Sequence, residues 1–264
     1  NINQYGVYAE EGTHRLTVRK CRFFAGIGQG CIKTLDTSGA DRSIDDLTLD
    51  DCYFEQPEAA NPWVAVQSTS RLTVKDSSFV RTAAAQVEDM LRVGQQSLGF
   101  GAIIFGCKFD GAGDASIKAG VHLDSSCHYA RVIGCAVAAL PGASGVGIQV
   151  AGALYVELEG NEISACAVGI KLEANAKHAG VIGNVVVGCS GLGLNLTSAA
   201  NVRCVGNRVA DNQTGGAGAT GTQIDLGAST NAIVSDNHCI GSAGGVGKID
   251  GTSATTTYAG NQAE

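Results

Sequence analysis

Short runs in which apolar and polar residues alternate recur along the chain. Three of them, LTVRKCRF at 16–23, LTLDDCYF at 47–54 and LTVKDSSF at 72–79, share a pattern in which two strands flank one small residue. Alternation with a period of two residues predicts β-strands that bury one face. A third strand with the same alternation follows a loop of variable length, as in GIQV at 147–150 and GIKL at 169–172. The pattern therefore predicts three short strands in every repeat.

The small residue between the first two strands marks each repeat, and it occurs ten times at intervals of 23 to 31 residues. These ten positions are Cys21, Cys52, Ser77, Cys107, Cys135, Asn161, Asn184, Asn207, Asn237 and Asn261. Such spacing is typical of the coils of a solenoid, and it leaves no room for the crossover helices of a doubly wound sheet. We therefore expect an all-β fold, a single parallel β-helix domain of about ten coils over residues 1–264.

An antiparallel propeller or sandwich is the alternative for a chain of short strands, and it would need two-residue hairpin turns. Asp-Gly pairs of that kind occur only at 110–111 and 250–251. Asparagine also suits a recurring corner of a solenoid, because it tolerates left-handed backbone angles and its amide can bond to a stacked copy of itself. Both observations favour stacked coils.

The repeat pattern, over nearly all of the 264 residues, resembles that of the right-handed parallel β-helix superfamily of pectate-lyase-like proteins and phage tailspikes. The resemblance implies a right-handed coil and a polysaccharide ligand. It lies in the repeat alone, because the catalytic signatures of several members are absent. Missing are the aspartate cluster that binds calcium in pectate lyases, the Asp-Pro-His motif of alginate epimerases and the paired aspartates of polygalacturonases.

Ten cysteines would suggest disulfides in a small secreted protein. Here several of them occupy the repeating small position, and no pair has the C-x-x-C spacing of a metal or redox site. We expect free, buried thiols that fill space, and hence folding in a reducing cytoplasm. The sequence predicts no metal and no cofactor.

The net charge of −7 argues against a nucleic-acid partner, since phosphate contacts need a basic surface. No run resembles a transmembrane segment or a signal peptide, so we expect no membrane insertion. The first repeat lacks two strands, and the chain stops just after Asn261. We therefore expect this domain to be part of a longer protein.

Long loops precede the third strand of several repeats, at 55–62, 80–89, 110–120, 138–145 and 210–221, and they should form a wall beside it. The predicted outward residues of that strand form a polar row: Arg92, His122, Gln149, Lys171, Asn195, Asp225 and Lys248. Asp124, Glu173 and Thr197 form a parallel row. Trp63, at the end of a long loop, is a candidate platform for a sugar ring.

Two kinds of chemistry fit these rows. Asp124 and Glu173 should lie two coils apart, roughly 9 to 10 Å between backbones at about 4.8 Å per strand, which suits an inverting glycosidase. Glu173 could pair with Asp225 instead. A lyase would use His122, Lys171 or Arg92 as its base. The predicted catalytic residues are Asp124, Glu173, Asp225 and His122, and the predicted substrate-binding residues are Arg92, Gln149, Lys171, Asn195, Lys248 and Trp63.

The resemblance to tailspikes implies a receptor-binding protein that binds, and depolymerises, a bacterial surface polysaccharide. It also implies a homotrimer, which an exposed apolar stripe would support, and a place in the virion after assembly in the host cytoplasm. The alternative is a non-enzymatic β-helix, either a virion decoration protein or an adhesin, located outside the cell or on its surface. A secreted lyase or epimerase is disfavoured by the ten cysteines and the missing motifs.

Overall fold

The computed structural model describes residues 5–9, 14–24, 30–34, 44–55, 62–66, 69–81, 89–94, 99–173, 175–212, 222–241, 248–251 and 257–263. Within these ranges the chain forms 32 β-strands and no helix. A helix long and apolar enough to cross a membrane is accordingly not found in the described part of the chain.

Three parallel sheets of ten strands each form the body of the molecule. The first sheet, which follows the variable loops, contains Tyr5–Ala9, Gly30–Thr34, Val64–Val66, Leu91–Val93, Ala119–Leu123, Val146–Val150, Val168–Leu172, Leu194–Asn195, Thr222–Asp225 and Lys248–Asp250. The second sheet contains Leu16–Arg19, Ile44–Asp50, Thr69–Lys75, Ala102–Phe105, Arg131–Ile133, Glu157–Glu159, Gly180–Ile182, Arg203–Val205, Ile233–Ser235 and Thr257–Ala259.

The third sheet contains Arg22–Phe23, Tyr53–Glu55, Ser78–Val80, Lys108–Asp110, Ala136–Leu140, Glu162–Cys166, Val185–Val187, Arg208–Ala210, His238–Ile240 and Gln262–Ala263. A separate pair, Gly99–Phe100 and Cys127–His128, adds two short strands. Every coil contributes one strand to each large sheet, and each strand pairs with its copies in the coils before and after it. The predicted parallel β-helix with three strands per coil is confirmed.

The core lies inside the coil because alternate residues of every strand point inward. In the first sheet the inward pairs include Val121 with Leu123 and Ile148 with Val150, all fully buried. Stacking in register places like residues over one another. The rings of Phe23, Phe54, Phe79 and Phe109 therefore form a continuous stack inside the third sheet, with centroids 4.6 to 5.0 Å apart.

Buried asparagines form a ladder at the corner between the second and third sheets. Asn161 Nδ2 donates to Asn184 Oδ1 at 2.9 Å and to the Val132 carbonyl at 2.9 Å, and its backbone N–H donates to the same Oδ1 at 3.0 Å. The pattern repeats through Asn207 and Asn237 to Asn261. The ladder therefore satisfies the amide of a buried side chain in coil after coil.

Cysteines occupy the same column in the earlier coils. The Cys135 backbone N–H donates to Asn161 Oδ1 at 3.0 Å, so a thiol rung continues directly into the asparagine ladder. All ten cysteines are free, and only Cys21 is not buried. Burial raises the pKa of the Cys31 and Cys127 thiols to about 12. The expectation of free thiols that fill space is confirmed.

The ladder predicts that Asn184→Ala lowers the free energy of unfolding by on the order of 3 kcal/mol, because Asn161 loses the acceptor of two buried donors. Urea unfolding measures the change. Asn184→Ser is the matched control, since Ser77 already fills this column, accepting the Cys52 N–H and donating to the Lys75 carbonyl. Serine should therefore cost less than alanine. An equal loss of unfolding free energy in the two variants would show that the hydrogen bonds of Asn184 are not the source of its stabilising effect.

Candidate functional site

The outward residues of the first sheet stack in register as the sequence predicted, from Arg92 to Asp225. Successive partners are Arg92, His122, Gln149, Lys171, Asn195 and Asp225. The backbone N–H groups of Asp124, Ala151 and Glu173 donate to the carbonyls of equivalent residues in the preceding coils. These three residues therefore also lie in one row. We call the two rows, with Thr197, the polar strip.

Two predicted binding residues lie elsewhere. Lys248 pairs with Thr222, and Asp250 is the partner of Asp225, because the register shifts between Thr222 and Ile224. The row position therefore belongs to Asp250, while the side chain of Lys248 lies outside the described residues. Trp63 is only 2% exposed and belongs to the core. Its ring removes a large apolar surface from water and offers no face to a sugar, so that prediction was wrong.

Two of the predicted long loops, 110–120 and 138–145, lie wholly within the described residues and pack together. A Cβ built on Gly142 would lie 1.9 Å from the Ala115 carbonyl oxygen, so the loops meet where only glycine fits. The first loop is also anchored by an ion pair of 2.7 Å between Arg81 Nη2 and Asp114 Oδ2. Residues 56–61, 82–88 and 213–221, within the other predicted loops, lie outside the described part.

A chain of charged groups spans the first coils of the strip. His122 Nδ1 lies 2.7 Å from Asp89 Oδ2, and its Nε2 lies 3.4 Å from Asp124 Oδ1. Asp124 also accepts two hydrogen bonds from Arg92, at 2.8 and 3.3 Å. The Nε2 atom of His122 is itself buried and makes no hydrogen bond with the described residues. The arrangement holds Asp124 in place rather than presenting His122 as a base.

Asp89 is the residue that the sequence analysis missed. It is 1% exposed and is the last residue of the predicted loop 80–89, two residues before the strand Leu91–Val93 that carries Arg92. A carboxylate next to the buried Met90 and Leu91 was the available signal, because a buried charge needs a partner. The sequence could not say that this partner is His122, which is 33 residues away.

A second group surrounds Glu173. Lys171 Nζ lies 2.6 Å from Glu173 Oε1. Burial acts to raise the pKa of Glu173, but hydrogen bonds from Lys171 and Gln149 and the charges of Lys171 and His122 outweigh it and leave the pKa below its usual range. A carboxylate of this kind stays ionised and suits a base more than an acid.

Ala151 separates the two carboxylates of the strip. Its backbone N–H bonds to the Leu123 carbonyl at 2.8 Å, and the Glu173 N–H bonds to the Val150 carbonyl at 2.8 Å, so each residue is one coil further along. Ala151 carries only a methyl group, so no long side chain of this row stands between Asp124 and Glu173. The two acidic residues are two strand spacings apart, roughly 9 to 10 Å between backbones.

The last coils of the strip use their polar side chains to hold turns. Asn195 Oδ1 accepts a hydrogen bond of 3.0 Å from the Thr197 hydroxyl, and Asp225 Oδ1 accepts one of 2.9 Å from the Gly227 N–H. Both contacts stabilise the turn that follows the strand. No group of three or more metal-ligating side chains is found among the described residues.

The Asp89–His122 contact predicts that His122→Leu lowers the free energy of unfolding by about 3–5 kcal/mol, because it leaves a buried carboxylate without its partner. Urea unfolding measures this loss. His178→Leu, on an exposed corner, should cost less than about 1 kcal/mol. The double variant Asp89→Leu/His122→Leu should recover part of the loss. If it is as unstable as the single variant, the buried charge is not the cause.

Comparison with known proteins gives one match. A family model described as the right-handed beta helix region matches residues 89–263, which is more than half of the chain. No curated protein and no solved structure matches the chain significantly. The matched span covers the whole of the polar strip and of the asparagine ladder. The chain belongs to the right-handed β-helix family.

Proposed function

We propose that this chain is a tailspike-like receptor-binding protein that binds a bacterial surface polysaccharide along the polar strip and hydrolyses it. The β-helix fold suggests a polysaccharide-binding or pectate-lyase-like protein. The observation that carries the finer proposal is the small side chain of Ala151, which lies one coil from Asp124 and one coil from Glu173. Carboxylates on backbones two strand spacings apart suit inverting hydrolysis of a glycosidic bond, in which a water molecule lies between the base and the sugar.

The two carboxylates take different roles. Glu173, with its lowered pKa, is the base that activates water. Asp124 is the acid: it takes up a proton from solvent when the substrate displaces Arg92, and it passes this proton to the leaving oxygen. Asp225 is not needed, since its carboxylate holds the turn at Gly227.

Hydrolysis is favoured over a lyase reaction by the position of His122. A lyase base must reach the proton beside a uronate carboxylate. The Nε2 atom of His122 is buried 3.4 Å from Asp124 Oδ1, and Lys171 and Arg92 are both engaged with carboxylates. Among the side chains of the strip, Glu173 is thus better suited than these three to act as a base.

The assembly and location follow from the same proposal. We place the protein in the phage virion as a homotrimer, after folding in the host cytoplasm. Ile103 and Phe105 are 40% and 49% exposed on the outer face of one strand. An exposed apolar pair on a flat sheet supports contact between copies, and the buried free thiols are compatible with a reducing compartment.

A non-enzymatic rod, such as a decoration protein or an adhesin, is the second candidate. One observation favours it: charged groups of the strip already pair with each other. Arg92 pairs with Asp124, and Lys171 pairs with Glu173. Opposite charges on adjacent rungs stabilise stacking without any chemistry. An adhesin would lie outside the cell or on its surface.

Wild-type protein should release new reducing ends from a capsular or O-antigen polysaccharide, and Glu173→Gln should lower the rate about 100- to 10,000-fold, because the base is lost. A panel of purified polysaccharides is assayed for reducing ends and for the ultraviolet absorbance of unsaturated uronates. Glu162→Gln, on the exposed face of the third sheet, is the control and should retain full activity. Ultraviolet absorbance would indicate a lyase instead. Inactivity of the wild type across the panel would favour the non-enzymatic rod.

The Lys171–Glu173 pair predicts the acid side of the pH profile. Because the pKa of Glu173 is lowered below its usual range, the base stays ionised, and kcat/KM falls only as the pH drops through that lowered pKa. Lys171→Met should move this fall to higher pH, since the pKa of Glu173 returns toward its usual value. Lys177→Met, which removes a charge from an exposed corner, should not move it. An unchanged profile in Lys171→Met would exclude Glu173 as the base.

A further inference from the structure

Aromatic side chains stack along the outside of the coil, at the corner between the first and second sheets. Tyr129, Tyr155 and His178 occupy the same position in three successive coils. Their ring centroids are 4.9 and 4.7 Å apart, and neighbouring rings are within 7° of parallel. The two tyrosines are about half exposed. We call these three residues the aromatic ladder; it lies on a different face from the polar strip.

The turn itself does not require aromatic residues. All three ladder residues have φ between 56° and 57°, and the next two coils place Asn201 and Asn231 at this position with φ of 55° and 54°. Asparagine adopts this conformation readily, whereas bulky residues rarely do. Three rings in a strained conformation that asparagine would satisfy suggest a role on the surface.

A groove of about 500 Å³ runs beside the aromatic ladder, over the outer face of the second sheet. The groove is also lined by the neighbouring row of Arg131, Glu157, Gly180 and Arg203, which are partners in successive strands. Gly180 lies in a regular strand, where the atoms nearest to a Cβ would be side-chain carbons of Ile182 and Glu157, at 3.3 Å and beyond. The backbone would accept a larger residue, so glycine here opens a notch between Glu157 and Arg203.

Of the two arginines that line the groove, Arg131 forms ion pairs within the described part of the chain and Arg203 does not. Arg131 Nε lies 2.8 Å from Glu157 Oε2, and its Nη2 lies 3.8 Å from Glu159 Oε2. The exposed guanidinium of Arg203, on the other side of the Gly180 notch, forms no ion pair or hydrogen bond with any described residue. An unpaired guanidinium beside aromatic rings, in a chain of net charge −7, is suited to bind a planar anion through two hydrogen bonds.

We propose that this groove is a second binding site, for an acidic saccharide whose carboxylate pairs with Arg203. The apolar edges of the sugar ring lie against Tyr155 and His178, and the notch at Gly180 admits the ring. Glu157 and the side-chain amide of Asn201 bond to its hydroxyl groups. A mostly aromatic wall with a few polar groups is typical of ligand sites of this volume. The inference does not depend on hydrolysis at the polar strip.

Isothermal titration with galacturonate, alginate and sialic acid oligomers tests the proposal. At least one should bind, and Arg203→Gln, Gly180→Val and Tyr155→Ser should each weaken binding about tenfold or more. Arg208→Gln removes an exposed arginine from the third sheet and should bind like the wild type. Glu173→Gln should also keep full affinity while losing hydrolysis, which separates this site from the proposed catalytic one. Urea unfolding of each variant confirms that it is folded.

Several results would overturn the inference. They include no binding to any of the three acidic probes, an Arg203→Gln affinity equal to that of the wild type, and equal affinity for a galacturonate oligomer and its methyl ester. A change of molecular mass in the groove variants would mean that the groove is a contact between copies of this chain. Stronger binding of single-stranded DNA than of any saccharide would mean a nucleic-acid site, which the net charge opposes.

Discussion

Parallel pairing of each strand with its copies in the neighbouring coils is the constraint on which the rest of the molecule depends. It satisfies the backbone of ten coils without a helix in the described residues, and it spaces equivalent residues about 4.8 Å apart. At that spacing a side chain can contact the equivalent side chain of the next coil. The asparagine ladder, the internal phenylalanine stack and the external aromatic ladder are three results of this one constraint.

The same spacing brings chemistry together from distant parts of the chain. Arg92 and Asp124 are 32 residues apart, yet they form a two-point ion pair because they lie in adjacent coils. Such pairs stabilise the stacked coils, and they also hold the carboxylates that a hydrolase would use. An ion-paired strip is therefore compatible with an enzyme and with a non-enzymatic β-helix. Ala151 bears on this choice, because it places only a methyl group in the row between Asp124 and Glu173.

The row of outward residues was predictable because strand alternation and coil counting suffice for it, from Arg92 to Asp225. The same reasoning placed Lys248 in the row incorrectly, because a register shift brings Asp250 to that position. Trp63, expected on the surface, is in the core, and the exposed stack of Tyr155 on His178 was not predicted.

By itself, the sequence determined the fold class, the three strands of each coil and the column of cysteines and asparagines. These features depend on the alternation of apolar and polar residues within a coil, which the sequence shows again in each repeat. Only the tertiary structure decided which side chains touch across coils: Asp89 with His122, Lys171 with Glu173, and the rings of the aromatic ladder. Such contacts depend on loop lengths, register and side-chain direction, and these are fixed only when the coils stack.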